Sequence, residues 1–180
     1  MNDIFESVRD KYKKRNKILF NFDSHCLKEL INIVSLQNHR TIIMWALDCA
    51  NESIKLYNTI AKSDKILEET IQTCRYWAQG LVKMPLAKAK ILECHRIAKN
   101  TDDIVIKSLA HAIGQAGSCV HTPKHAMGIV FYELTAIVHL KGIDDFETEV
   151  NNKIDYYKIR LDYWIQNIDN IEVAWAKFLK

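Results

Sequence analysis

Apolar residues recur at three- and four-residue spacings along almost the whole chain, and only two prolines and five glycines interrupt them. The pattern predicts an all-α protein. Ile4, Phe5, Val8 and Tyr12 mark a short first helix, after which Ile18, Phe20 and Phe22 alternate like an extended linker lying on the core. Asp23 or Ser24 can cap a helix to about Leu36 with Leu27, Leu30, Ile31 and Val34 facing inward. A longer helix over about 40–58 buries Ile43, Ala46, Leu47, Ala50, Ile54 and Tyr57. Ser63 or Asp64 caps the next, which ends at Gly80, where a left-handed residue is wanted. Pro85 opens another through Lys99, Thr101 or Asp102 caps its successor, and Gly142 closes the helix after that. Similar lengths and short connections describe a multi-helix bundle or a short helical stack.

The C-terminal segment, 143–180, differs in kind. Ile154, Tyr157, Leu161, Trp164, Ile168, Ile171, Trp175 and Phe178 keep a 3-4 spacing with no glycine or proline between them. One helix longer than ~45 Å would present them as a single stripe at 1.5 Å per residue. Asp169 and Asn170 favour caps over helix interiors and offer the place to break it. Packing of this stripe across the chain's own core is the preferred reading, with a homodimer through the C-terminal helix as the alternative.

Residues 110–128, AHAIGQAGSCVHTPKHAMG, hold three of the five glycines and three of the seven histidines. Thr122 and Pro123 fit the N-cap and first turn of a second arm, so the stretch reads as a helix hairpin. His121, His125 and Gly128 then share a face, and the fold-back sets Gly114 opposite Gly128. Gly114, Gly117 and Gly128 together predict unusually tight helix packing.

At 180 residues the chain is long enough for one substantial core and short for two, so 1–180 is expected to be a single domain. It comprises an N-terminal helix and linker (1–22), a central region (40–140) and the C-terminal segment. A net charge of +3 argues against an acidic mimic of nucleic acid. The basic run Arg9, Lys11, Lys13, Lys14, Arg15 and Lys17 reads as a solvated face, and nucleic-acid binding is disfavoured because no exposed aromatics interleave with it. Cys26, Cys49, Cys74, Cys94 and Cys119 are odd in number and form no C-x-x-C pair, which suggests reduced thiols. The first ten residues have no apolar signal core, and the apolar run 129–140 is broken by Glu133 and His139. No membrane span and a cytoplasmic location are therefore expected.

Chemistry finds no anchored motif. His121 and His125 have the i, i+4 spacing of zinc ligands, with His95 or His111 as a third, but no H-E-x-x-H or cysteine pair accompanies them. Glu93 with His95 has the wrong spacing for a di-iron carboxylate bundle. Ser118 and Cys119 lie beside His121 without a nucleophile elbow. The expectation is no catalytic residue, no metal and no cofactor. A polar set remains in otherwise apolar helices: Asp48, Glu52, Arg75, His95, His121 and His125. Buried together, the carboxylates would satisfy the arginine and the imidazoles. The functional alternative makes His95, His121 and His125 the centre of a metal-dependent or small-molecule-binding helical enzyme.

Four ordered motifs carry a family resemblance. A-I-G-Q-A followed by H-T-P-K-H-A-M-G resembles the G-x-A and H-x-x-x-H-A-x-G signature of the Imm-5-like putative immunity proteins, an all-helical bacterial family associated with toxins. W-A-L-D-C-A-N-E at 45–52 is similar to its W-A-x-x-C-A-x-E, C-R-Y-W-A-Q-G at 74–80 to its A-R-x-W-A-x-G, and E-C-H-R-I-A at 93–98 stands where the family has A-H-x-x-A. The helix start at Asp64, Lys65 and Ile66 departs from the family's Asp-x-Arg-Pro. The resemblance implies a cytoplasmic protein that neutralises a cognate toxin by stoichiometric binding, without turnover.

Overall fold

Side-chain caps set three of the helix starts in a computed structural model that describes residues 3–62 and 64–179. Asn38 Oδ1 accepts the amide of Thr41 at 2.9 Å, Asp64 Oδ1 that of Ile66 at 3.0 Å, and Asp103 Oδ1 those of Val105 and Ile106 at 2.8 and 3.1 Å. Each satisfies amides that the first helical turn leaves without a carbonyl. The alternative cap Ser63 lies outside the described residues. Asp103 takes the place expected of Thr101 or Asp102, and Thr101 instead braces the loop by accepting the Asp103 amide.

Among the described residues the chain forms eight α-helices and no strand: α1 (Glu6–Lys13), α2 (Lys28–Ser35), α3 (His39–Ile60), α4 (Lys65–Ala78), α5 (Met84–Lys99), α6 (Ile104–Ser118), α7 (Ala126–Lys141) and α8 (Glu147–Asn167). The all-α expectation holds. Gly80 at φ +77° and Gly142 at φ +90° turn the chain after α4 and α7, as their positions predicted. Ser24 precedes a 3-10 turn rather than capping α2, and its hydroxyl accepts the Asn21 amide. Before it, Leu19 and Phe20 enter the core while Phe22 is exposed, so the alternation of Ile18, Phe20 and Phe22 is not the buried face. A hydrogen bond from the Leu19 amide to Thr135 Oγ1 at 3.0 Å selects the register instead.

α6 is the centre, with α3, α4, α5 and α7 packed round it. Ala110, Ala112, Gly114, Ala116 and Gly117 give it a small-residue surface on several sides, all buried. The glycines do not face one another across the hairpin, which corrects the expectation for Gly114 and Gly128. A β-carbon on Gly114 would lie 2.8 Å from the His95 ring of α5, and one on Gly117 2.8 Å from Cys74 Sγ and 3.1 Å from Ile91. One on Gly128 would meet Gln115 Cβ of α6 at 2.8 Å. Each glycine admits a different neighbour, because helices crossing at several faces cannot all share one seam.

α8 is lashed across α3 and α7. Trp45, fully buried, donates Nε1–H to the Tyr157 carbonyl at 3.0 Å. Glu133 is the one fully buried carboxylate among the described residues; it accepts the Tyr157 hydroxyl and pairs with Lys153 Nζ at 2.8 Å. The C-terminal stripe is helical only to Asn167; a 3-10 turn at Ile168–Asn170 breaks it, as Asp169 and Asn170 allowed, and the chain continues extended. Trp164 is buried within the chain, whereas Trp175 is half-buried under Arg40 and Phe178 is exposed. This last segment straps over α4, with the Ala176 amide donating to the Ala78 carbonyl at 2.8 Å.

Two substitutions test the crowding. Alanine is worth up to about 1 kcal/mol over glycine in an open helix. Overpacking costs about 1–3 kcal/mol. Gly117→Ala and Gly128→Ala are therefore both expected to destabilise in urea denaturation, since Cys74 and Gln115 Cβ sit on fixed backbones; a stabilised variant would mean the helices have room. Glu133→Ala is expected to cost about 3 kcal/mol by stranding Lys153 and the Tyr157 hydroxyl.

Candidate functional site

The hairpin turn itself builds the candidate site. Cys119 and Val120 are buried at the end of α6, and Pro123–His125 forms a single 3-10 turn before α7. Thr122 precedes that turn without a side-chain cap, and His121 therefore lies outside the helix that carries Gly128. The shared face expected of His121, His125 and Gly128 does not form. His121 and His125 nevertheless meet His95 of α5 at one cleft of about 370 Å³, walled by Trp77, Met84, Ile91 and Leu92.

Every imidazole there has an internal contact. His95 and His111 share one proton between their Nδ1 atoms at 3.0 Å, and His111 leans on the Tyr132 ring. His125 Nδ1–H donates to Gln115 Oε1 at 2.7 Å, and His121 stacks on Trp77 at 6.3 Å between centroids. Gly114 makes the His95 position possible, since a side chain there would occupy the ring's space. Burial favours neutral rings: desolvation, then the neighbouring His95, pushes His111 down to about 4, and desolvation, then His125, lowers His95. Among the described residues no three His, Cys, Asp or Glu side chains are grouped to hold a metal ion. Ser118 Oγ donates to the Gly114 carbonyl at 2.9 Å, and burial holds the Cys119 thiol far above its ordinary value, so neither is activated.

The rest of the polar set sits elsewhere. Asp48 accepts Arg160 Nε at 2.8 Å and Trp164 Nε1 at 2.9 Å, joining α3 to α8. Arg75 donates to the Leu47 carbonyl at 3.3 Å, and Glu52 pairs with Lys55 at the surface. No carboxylate of the set reaches an imidazole, which corrects the picture of one mutually satisfied cluster. The residues it omitted, Glu133, Lys153, His111 and Arg160, partner across 16 to 112 positions of sequence. Only His111 carried a signal, as an alternative ligand.

The neutral imidazoles make the fold acid-sensitive. A histidine whose folded pKa is depressed stays uncharged in the fold and charges on unfolding, so stability is complete above the unfolded value and falls as pH drops toward the folded one. Between about pH 6.5 and the folded value of about 4 for His111, unfolding should take up about one extra proton through that ring. The His111 resonances should keep their neutral positions down to about pH 5. His111→Phe should flatten the pH dependence of the urea midpoint in that window.

Neither the curated proteins nor the solved structures contain a match to this chain. A family description does match, over residues 32–160, and this span includes α3 to α7, the glycine-spaced hairpin and every histidine of the cleft. With most of its length inside that match, the chain belongs to the Imm-5 like putative immunity protein family.

Proposed function

We propose that the chain is an immunity protein that neutralises a cognate toxin by stoichiometric binding, with the rim of the histidine cleft as its contact surface. The observation that carries the reading is the family match over residues 32–160. The chemistry of the cleft agrees with it, because His95 and His125 each commit Nδ1 to an internal partner and His121 lies stacked on Trp77. The rim itself is apolar where solvent reaches it. Met84 and Leu92 are 44% and 51% exposed on the cleft wall, and Phe178, 54% exposed, packs on Trp77 beside them. Three large exposed apolar side chains round one buried indole are the composition of an interface centre. Binding there requires complementarity and no reaction, so the same surface can block a toxin of any activity.

Co-expression with the toxin gene encoded beside this one is the direct experiment. Cells should survive with the chain and die without it, and the purified pair should form a one-to-one complex. Met84→Glu with Leu92→Glu should weaken that complex at least about tenfold while changing stability by about 0.5 kcal/mol or less. His125→Ala should weaken folding and protection together by freeing Gln115. Equal death with and without the chain, and no complex, would sink the assignment.

A further inference from the structure

At the opposite end of α6 from the hairpin turn, the chain leaving α1 borders a second, open cavity of about 680 Å³, against α7 and the loop after it. Arg15 ends α1 in the left-handed region at φ +57°, with the Arg15 amide donating to the Tyr12 carbonyl and that of Asn16 to Lys11. Glycine is the usual residue for this conformation. The reversal places Lys13, Arg15 and Lys17 on one cavity wall. Arg9 lines it too, but its guanidinium is already held by Asp3 and Glu147. The other three cations have no carboxylate within ion-pair distance among the described residues, and Asp144 is the one carboxylate on the wall. Two positive charges are left uncompensated.

The remaining wall is of another kind. Tyr12, Ile104 and Ile143 supply apolar surface, and the His139 ring lies tilted against Tyr12 with centroids 5.1 Å apart. His139 Nε2 is enclosed and has no hydrogen-bond partner among the described residues. A polar atom left unmatched inside a structure marks either a cost or a ligand. Nε2 is shut off from solvent and so stands here as a cost, and what His139 offers the cavity it lines is the charge its ring gains on protonation.

We propose that this cavity binds a small organic phosphomonoester, its phosphate held by Lys13, Arg15 and Lys17 and its apolar body laid against Tyr12, Ile104 and Ile143. A phosphomonoester carries close to two negative charges at neutral pH and matches the excess, where a monocarboxylate leaves one cation over. The volume lies in the range of small-molecule sites, and apolar walls with a few convergent charges are their usual composition. Burial lowers the proton affinity of His139, and a dianion bound beside it raises that affinity again. The inference stands apart from toxin binding, which uses the other end of the molecule.

Titrating phenyl phosphate into the full chain at low ionic strength tests it by calorimetry, with the His139 resonances followed by NMR. Saturable one-to-one binding is expected, with an upward shift in the His139 titration when ligand is present. Lys13→Glu with Lys17→Glu, both exposed, should weaken binding at least about tenfold. Arg15→Gly should weaken it while keeping or raising thermal stability, because glycine suits the backbone there. Absence of saturation by about 10 mM phenyl phosphate would overturn the proposal. So would unchanged affinity in the double variant, or inorganic phosphate binding as tightly as phenyl phosphate. Binding of hexaglutamate without binding of phenyl phosphate would assign the surface to an acidic protein segment instead.

Discussion

Four helices crowd round α6 because most of the residues it buries against them are glycine, alanine or serine. Close approach of helix backbones gains dispersion over many atom pairs, and each β-carbon removed at a contact brings the axes nearer. In this chain the gain is distributed: Gly114 admits an imidazole, Gly117 a thiol and an isoleucine, and Gly128 the base of a glutamine. The positions of α4, α5 and α7 are thus set by three separate contacts on one central helix. Cys74, Cys94 and Cys119, all buried and unpaired, serve the same economy of volume as compact core groups.

Against that apolar centre, α8 is held by polar groups. Asp48 takes an arginine and an indole from it, and Glu133 takes a lysine and a phenol. Full burial of a carboxylate is costly and is tolerated only where charge and hydrogen bonds meet it. Because those partners exist at one helical register of α8 only, a shift by one residue would strand both acids. Apolar contacts alone would tolerate such a slip more easily. Buried Glu133 and half-buried Asp48 therefore specify the placement of α8 more than they add to its strength.

The helices were legible in the sequence because their signals are local. A 3-4 apolar period, Asp64 at a helix start, Pro85 in a first turn and glycines at Gly80 and Gly142 act within a few residues of themselves. The C-terminal stripe misled beyond Asn167 because its 3-4 spacing continues in residues that pack extended, where Ala176 bonds to Ala78 rather than to its own turn. Tertiary contact overrode the period. The candidate site was half legible for the same reason. His95, His121 and His125 converge because the hairpin turn is local and α5, the preceding helix, packs on its first arm, whereas Asp48 finds Arg160 over 112 positions with nothing nearby to announce it. Glu133 looked like an interruption of an apolar run, since its partners Lys153 and Tyr157 come from another helix.

The signature stretch concentrates histidines for a reason that packing supplies before chemistry does. Glycine at position 114 opens a space that the flat His95 ring fills, and the ring's Nδ1 then needs a partner in a half-buried place, which His111 provides. Gln115 and His125 repeat the arrangement one turn on, against Gly128. At Gly114 a ring and at Gly128 a glutamine fill the close contact, and each adds a directional bond to dispersion where the chain reverses. For the proposed contact surface those bonds matter, because Trp77, Met84 and Leu92 stand on the same cleft and presenting them costs less conformational entropy when its floor is fixed. α6, fifteen residues and about 22 Å long, has that cleft near its C-terminal end and the basic cavity at Ile104, its first residue.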